Sequence, residues 1–381
     1  MIKKLLAALT LCALGMSGAQ AQIKIGVILS ITGPAAALGI PQKQTIDILP
    51  RTVAGRSVEF IVLDDATDTT AAVKNARKLI SEDRVDVIVG PSLTPNSIAL
   101  IDVVAESETP LLSLASSITI VEPMDAKRAW VFKVPQGDSL QSEASVRHMV
   151  KAGIKTFAYI GFADSYGNAY GQEMARAAAA NNVMVVANER YSRNDTSVVA
   201  QILKIIAAKP DAVFIGAAGT PAVLPQATLR ERGYAGAIYQ TNGVTSNEFL
   251  RVGGKAVEGT LLLVTPMLVA EQLPDGNPSK KPALEFLTRY EGKYGKDSRS
   301  NFAALSWDAW KILESPLTAA AAKASPGTKE FRKALRDGIE NTKNLALNTG
   351  VFNYSPRDHA GLVAGDMVWV TIQNNRWKPA Q

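Results

Sequence analysis

The chain has 381 residues, 47% of them apolar and 6% aromatic, with 41 Lys+Arg against 35 Asp+Glu. That length predicts at least two domains, each with a real core, and the composition excludes a disordered chain. The net charge of +6 contains no dense Lys/Arg run and aromatics are scarce, so no nucleic-acid partner is expected.

The first residues set the compartment. Lys3-Lys4, the apolar run Leu5 to Met16 and Ala19-Gln20-Ala21 read as a signal peptide over residues 1–21, cleaved between Ala21 and Gln22. The run is too short to span a bilayer, and the bulky Leu11 before Cys12 argues against a lipid anchor there. Cys12 is the one cysteine, so cleavage leaves no disulfide, thiol catalysis or Cys-held metal. An exported, periplasmic protein is expected.

Beyond residue 22, short apolar runs alternate with amphipathic segments, the pattern of parallel sheets flanked by helices. A strand is predicted over 23–30, then the Gly33-Pro34 turn and a helix to about Leu49. Strand 58–63 ends at Asp64-Asp65, a polar strand exit, and Thr69 or Thr70 caps a helix carrying Val73, Ala76, Leu79 and Ile80 at helical spacing. Strand 85–89, helix 96–106 and strand 111–114 follow.

After Asp138 the alternation restarts: strand 156–161, helix 167–181, strand 183–187, a helix with Val198, Ile202, Ile205 and Ile206 on one face, and strand 211–215. "VDVIVG" at 85–90 and "PDAVFIG" at 210–216 occupy equivalent places in two similar doubly wound halves. The last third gives strand 259–264, a Pro-rich loop, helices over 283–294, about 302–322 and 328–341, and a final strand 366–372. Such a tail can cap the first half and finish the sheet of the second, joining them by several crossings.

Enzymatic signatures are missing. There is no Gly-x-Ser-x-Gly elbow, no Gly-x-Gly-x-x-Gly after the first strand and no Walker A loop. His148 and His359 lack metal-ligand spacing; His148 falls in a helical stretch and His359 in the turn "SPRDHAG". No catalytic residue, metal or cofactor is expected.

What the sequence offers instead is polar, small-residue loops at strand ends, where open α/β sheets bind ligands. They are 30–34, 90–94 and 115–117 in the first half, and 163–167, 216–220 and 241–243 in the second. Two such rims make a cleft able to close on a small polar ligand, with unpaired helix-start amides beside Thr94 suited to an anion.

Together "IKIGVILSITGPAAALG", "VDVIVGPSLTPNS", "PLLSLASSIT", "FADSYGNAYG" and "AVEGTLL", in this order, resemble the periplasmic leucine/isoleucine/valine-binding proteins, solute receptors of branched-chain amino-acid-type ABC transporters. The resemblance covers essentially all of the chain after the signal peptide. It implies two α/β lobes joined by three hinge crossings, the type I periplasmic binding-protein fold, with lobe 1 over 22–138 and 268–350 and lobe 2 over 139–267 and 351–381. It implies a monomeric, non-enzymatic receptor that serves an inner-membrane ABC permease.

Residue by residue, the resemblance puts the ligand's carboxylate at Thr94, Ala115 and Ser117, the partner of an amino acid's ammonium at Asp138, and a second-lobe tyrosine at Tyr166. Two positions depart from the family. Asn242 stands where a glutamate completes the ammonium cage, and Leu38 replaces a tyrosine. Gly219 and Thr220 stand where bulkier residues line amino-acid receptors. These departures point to a carboxylate-bearing solute without an α-ammonium, an aromatic or other organic acid; a branched-chain or other hydrophobic amino acid is the alternative.

Overall fold

The computed structural model describes residues 21–363 and 367–380. Residues 1–20, all but the last residue of the expected signal peptide 1–21, lie outside the described residues.

Two sheets organise the chain. The first half supplies β1 (Ile23–Leu29), β2 (Thr52–Val53), β3 (Arg56–Asp64), β4 (Val87–Val89), β5 (Leu111–Ser113) and β6 (Val131–Lys133), with helices α1 (Ala36–Ile46), α2 (Thr69–Ser81) and α3 (Thr94–Ser107) between them. The second half supplies α4 (Asp138–Lys151), β7 (Thr156–Phe162), α5 (Ser165–Ala180), β8 (Met184–Tyr191), α6 (Val199–Ala207), β9 (Ala212–Gly216), α7 (Val223–Glu231), β10 (Ala237–Gln240), α8 (Asn247–Gly253) and β11 (Leu261–Val264). The remainder forms α9 (Lys280–Tyr294), α10 (Asn301–Ala321), α11 (Lys329–Glu340), the hairpin β12 (Leu345–Leu347) and β13 (Gly350–Phe352), then β14 (Val368–Gln373) and β15 (Arg376–Pro379).

The first sheet runs β2-β3-β1-β4-β5-β6 and the second β15-β14-β11-β10-β9-β7-β8. Without the edge additions β2, β14 and β15, both have the same doubly wound order, in which the first strand of each half lies between its second and third. The order reverses at β1/β4 and at β7/β9, and ligands of such sheets bind outside the strand ends at that reversal. The parallel strands are apolar on both faces because helices cover both. Along β1, Ile23, Ile25, Val27 and Leu29 enter the core shared with α1, α9, α10 and α11. Ile28 enters the opposite core with α2 and α3. The second lobe has its own core, from Val146 to Ile372.

Three crossings join the lobes. The first follows Val134, which lies in the first core, and enters α4. The second leads from Val264 in the second core to Met267 in the first. The third falls after Leu362, not at 350–351 as the sequence suggests, because Phe352, Tyr354 and Leu362 belong to the first core. The β12–β13 hairpin lays this stretch along β6, where Lys133 N donates to His359 O (3.1 Å) and Tyr354 Oη to Lys133 O (2.8 Å). Two further local readings are corrected. Asp68, not a threonine, caps α2 by accepting from Ala71 N (2.7 Å), while Thr69 Oγ1 donates to Asn96 Oδ1 (2.9 Å). Strand β8 runs on to Tyr191, four residues past its expected end at Ala187.

Candidate functional site

Strand-end loops of both lobes converge on a narrow, nearly closed cleft with room of ≈ 30 Å³ for water-sized spheres. Its lining from the first lobe includes Leu38, Leu93, Thr94, Leu114, Ala115 and Ser116, with Asn301, Phe302 and Leu305 from the start of α10; the second lobe contributes Tyr166, Arg193, Ala218, Asn242 and Gly243. Pro135, in the first crossing, forms the wall at the hinge.

Thr94 opens α3 behind Leu93, whose extended backbone (φ −118°, ψ 145°) turns the chain into the helix. The turn depends on Gly90, where φ is +103° and a Cβ would stand 2.0 Å from Ile28 O, so only glycine fits. The Thr94 hydroxyl is buried and has no hydrogen-bond partner among the described residues. It lies beside the Thr94 and Asn96 amides, which have no intrahelical acceptor; Pro95 has no N–H and Ser97 N donates to Leu93 O (2.9 Å). This is a donor set waiting for an acceptor.

The other expected anchors are placed differently. Ala115 lines the cleft, but its N–H is given to Ser113 Oγ (3.1 Å) and is not free for a ligand. Ser117 and Asp138 are buried and face each other outside the lining: Ser117 Oγ donates to Asp138 Oδ2 (2.7 Å), and Ile118 N (2.9 Å) and Ser139 N (3.1 Å) donate to Oδ1. Asp138 is thus the first residue of α4, tying its start to the loop after β5, with Gly137 as the cap residue. Burial raises the Asp138 carboxyl above its ordinary value, against those bonds and the nearby Lys133. Lys133 is itself fully buried, its ammonium donating to Pro135 O (2.5 Å); burial pushes its pKa down to about 8 against the pull of Asp138.

In the second lobe, Asp164 caps α5 by accepting from Gly167 N (3.1 Å), which sets Tyr166 against the cleft. Tyr166 Oη donates to Thr241 Oγ1 (2.9 Å), and burial pushes its phenol up to about 12, so it stays neutral. Asn242 spends its backbone N–H on Gln141 Oε1 (3.3 Å) and its carbonyl on Thr245 Oγ1 (2.7 Å). Its carboxamide has no partner among the described residues and lines the cleft. Gly219 (φ +67°) faces the other lobe, where a Cβ would stand 3.0 Å from Leu38 Cδ1. Thr220 lies outside the cleft, on a broad outer groove with Gly33, Ala37, Ile40 and Thr196.

Strand-end reasoning missed Arg193. It follows β8, and its signal was the polar run 192–195, obscured by the expected earlier end of that strand. Its Nε donates to Asp164 Oδ2 (2.7 Å) and its guanidinium carbon lies 3.9 Å from the Phe162 ring centroid. Asn301 and Phe302 were also missed, because they come from a helix start and not a strand end; Ser300 Oγ accepting from Phe302 N (3.2 Å) is the capping signal.

The two histidines serve packing. His148 Nδ1 pairs with Tyr239 Oη (2.9 Å), and His359 stacks on Phe132 with ring centroids 4.0 Å apart, its Nε2 3.2 Å from Glu340 Oε1. Asp64 and Asp65 are spent on turn groups, Asp64 Oδ1 taking Ile31 N (2.9 Å) and Asp65 Oδ1 taking Ser30 Oγ (2.7 Å). Among the described residues no His/Cys/Asp/Glu cluster suits a metal, and no helix is long and apolar enough to cross a membrane.

Twin doubly wound lobes, three crossings and a lined gap between strand ends define a bilobal small-molecule receptor. The chain belongs to the periplasmic binding protein family, whose model matches residues 22–375. It is similar to an extracellular ligand-binding receptor from Rhodopseudomonas palustris HaA2 (45% identity, TM-score 0.92, covering 95% of this chain and 100% of that one). A curated relative, Leu/Ile/Val-binding protein homolog 3 of Brucella melitensis, is 24% identical with 89% of each chain covered. The fold also matches a solute-binding protein of an ABC transporter from Rhodopseudomonas palustris BisB5 in complex with 3,4-dihydroxybenzoic acid (19% identity, TM-score 0.78, covering 94% of this chain and 95% of that one). At the level of the family this is a periplasmic binding receptor of the branched-chain amino-acid type.

Proposed function

We propose that this receptor captures a small carboxylate-bearing solute that lacks an α-ammonium, an aromatic or other organic acid, and hands it to an inner-membrane ABC permease. One observation carries the reading: among the described residues no carboxylate lines the cleft, and Arg193 is the one charged residue that does. An ammonium enclosed there would lose its water without an ionic partner, at a loss of several kcal/mol. Asp138, the family's ammonium partner, has both oxygens engaged by Ser117, Ile118 and Ser139, with Lys133 nearby. Asn242 supplies an amide where the family places a second carboxylate.

The proposed binding set is Thr94 with the α3 amides for the carboxylate, Leu38, Ala115 and Phe302 for the apolar body, and Tyr166, Arg193 and Asn242 from the opposing lobe. Ser117 and Asp138 support the site from outside its lining, and Gly219 lets Leu38 of the other lobe approach closely. Hinge closure about the three crossings excludes water and presents the permease with a closed face. The protein works as an exported monomer after cleavage between Ala21 and Gln22. Relatives with Leu/Ile/Val-binding names and a dihydroxybenzoate complex share this fold, so the choice rests on the chain's own lining.

Calorimetry on cargo-stripped protein tests the reading with benzoate, 4-hydroxybenzoate, leucine and isoleucine. An acid binding with a micromolar constant, roughly −8 kcal/mol, while both amino acids fail is the expected result. Tight leucine binding with no response to the acids overturns it.

A further inference from the structure

The cleft and the outer groove have one lining residue in common, Arg193. It therefore stands at the mouth, while Pro135 stands at the hinge end. Sheet order agrees. Arg193 follows β8, the outermost strand of the second sheet, on the side away from β11 and β14, which connect to the crossings. Thr94 follows β4, two strands from the hinge-side strand β6. The buried, unpartnered Thr94 hydroxyl at the start of the 14-residue helix α3 and the Arg193 fork thus mark two separate polar poles. Leu38, Leu114, Phe302 and Leu305 supply apolar wall to the same cleft.

Arg193 is fixed before any ligand arrives. Asp164 holds its Nε, Phe162 lies under its plane, and its terminal Nη groups have no partner among the described residues. The ion pair with Asp164 is part-buried and already balances the guanidinium charge. What remains for a ligand is the planar Nη1/Nη2 end with its N–H donors, its charge already countered by Asp164, so that end can take a neutral oxygen.

Resting on the organic-acid reading above, we propose that Arg193 determines specificity by taking a hydroxyl or carbonyl oxygen at the far end of the ligand from its carboxylate. The ligand class is then a hydroxy- or oxo-acid with its two polar ends separated by an apolar body.

The test compares benzoate with 4-hydroxybenzoate, which differ only by an oxygen opposite the carboxylate. Their affinities are measured by calorimetry for the wild type and for Arg193→Gln, Arg193→Lys and Thr94→Val, each checked by circular dichroism. The wild type should favour the hydroxy acid by about tenfold or more, since leaving a built donor unpaired is costly. That ratio should fall toward one in Arg193→Gln, fall partway in Arg193→Lys, which lacks the planar fork, and persist in Thr94→Val, which weakens both acids. A wild-type ratio near one overturns the proposal, as does a ratio unchanged in both Arg193 variants; the wild-type comparison stands even if a variant fails to fold. Binding of neither acid beside tight leucine binding overturns the organic-acid reading itself, and this proposal with it.

Discussion

At the residue scale, the site is decided by which polar atoms are already used. Thr94 Oγ1 is free, whereas the Asp138 carboxylate and the Ala115 amide are not. Thr94→Val keeps the shape and removes the donor, and a hydrogen bond to a charged group is worth roughly 1.5–3 kcal/mol. Calorimetry should therefore show every acid weakened by about tenfold to a hundredfold. Equal affinities in the two proteins would remove Thr94 from the site. Asn242→Glu should act in the opposite sense, returning a carboxylate to the lining: acids weaken by at least about tenfold through like-charge repulsion, and leucine gains measurable affinity. A variant that binds neither better nor worse would show that Asn242 does not face the ligand. Thr94, Tyr166 and Asn242 were legible in the sequence because each follows a parallel strand. Arg193 obeys the same rule but was hidden by the length of β8, whose mixed residues Asn188 to Tyr191 carry no clear apolar period.

At the element scale, the sequence marked most helices and strands, and it failed where elements are short or where tertiary contacts choose the ends. β6 has three residues, and each strand of the β12–β13 hairpin has three, too few to show a period. The third crossing was misplaced for the same reason: tertiary contacts keep residues 351–362 on the first lobe, those with β6 and others such as Tyr354 N donating to Thr342 O (3.0 Å). The hairpin turn just before that stretch is pinned by Asp308 of α10, which accepts from Asn348 N (3.2 Å), Thr349 N (3.0 Å) and Thr349 Oγ1 (2.7 Å). Burial outweighs these bonds and raises its pKa from 3.8 to about 7. In the folded chain Asp308 keeps its proton through a window in which the unfolded chain has lost it. Its contribution is full below about pH 4 and is lost as pH rises to about 7. Urea unfolding of the wild type and of Asp308→Asn should show their stability difference moving against the wild type over that window, by on the order of 4 kcal/mol. A pH-independent difference would contradict this.

At the scale of the whole molecule, the described arrangement is a closed one, in which the lobes touch across the cleft. Asn301 N, at the start of α10, donates to Thr245 O of the second lobe (3.3 Å), and Leu38 of the first lobe lies against Gly219. A ligand that needs both lobes binds the closed folded state alone, so it must raise stability. At about 100 times its dissociation constant the gain is roughly 2.7 kcal/mol, several degrees in Tm for a protein of this size. A scanning-fluorimetry series with 4-hydroxybenzoate should show that rise growing with the logarithm of concentration, together with a smaller radius of gyration by X-ray scattering. A rise in Tm without compaction would mean that one lobe holds the ligand unaided.

The join between β11 and β14 has a consequence for biogenesis. These antiparallel neighbours share the register Leu261 to Val264 against Thr371 to Val368, yet α9, α10, α11 and a hairpin intervene between them along the chain. During synthesis β11 therefore waits with one edge bare while the helices that will cover the other lobe are still being made. Late, long-range pairing of this kind slows folding. A chain that cannot finish its second sheet early stays loose there until its last strands are made, so its binding shape comes late.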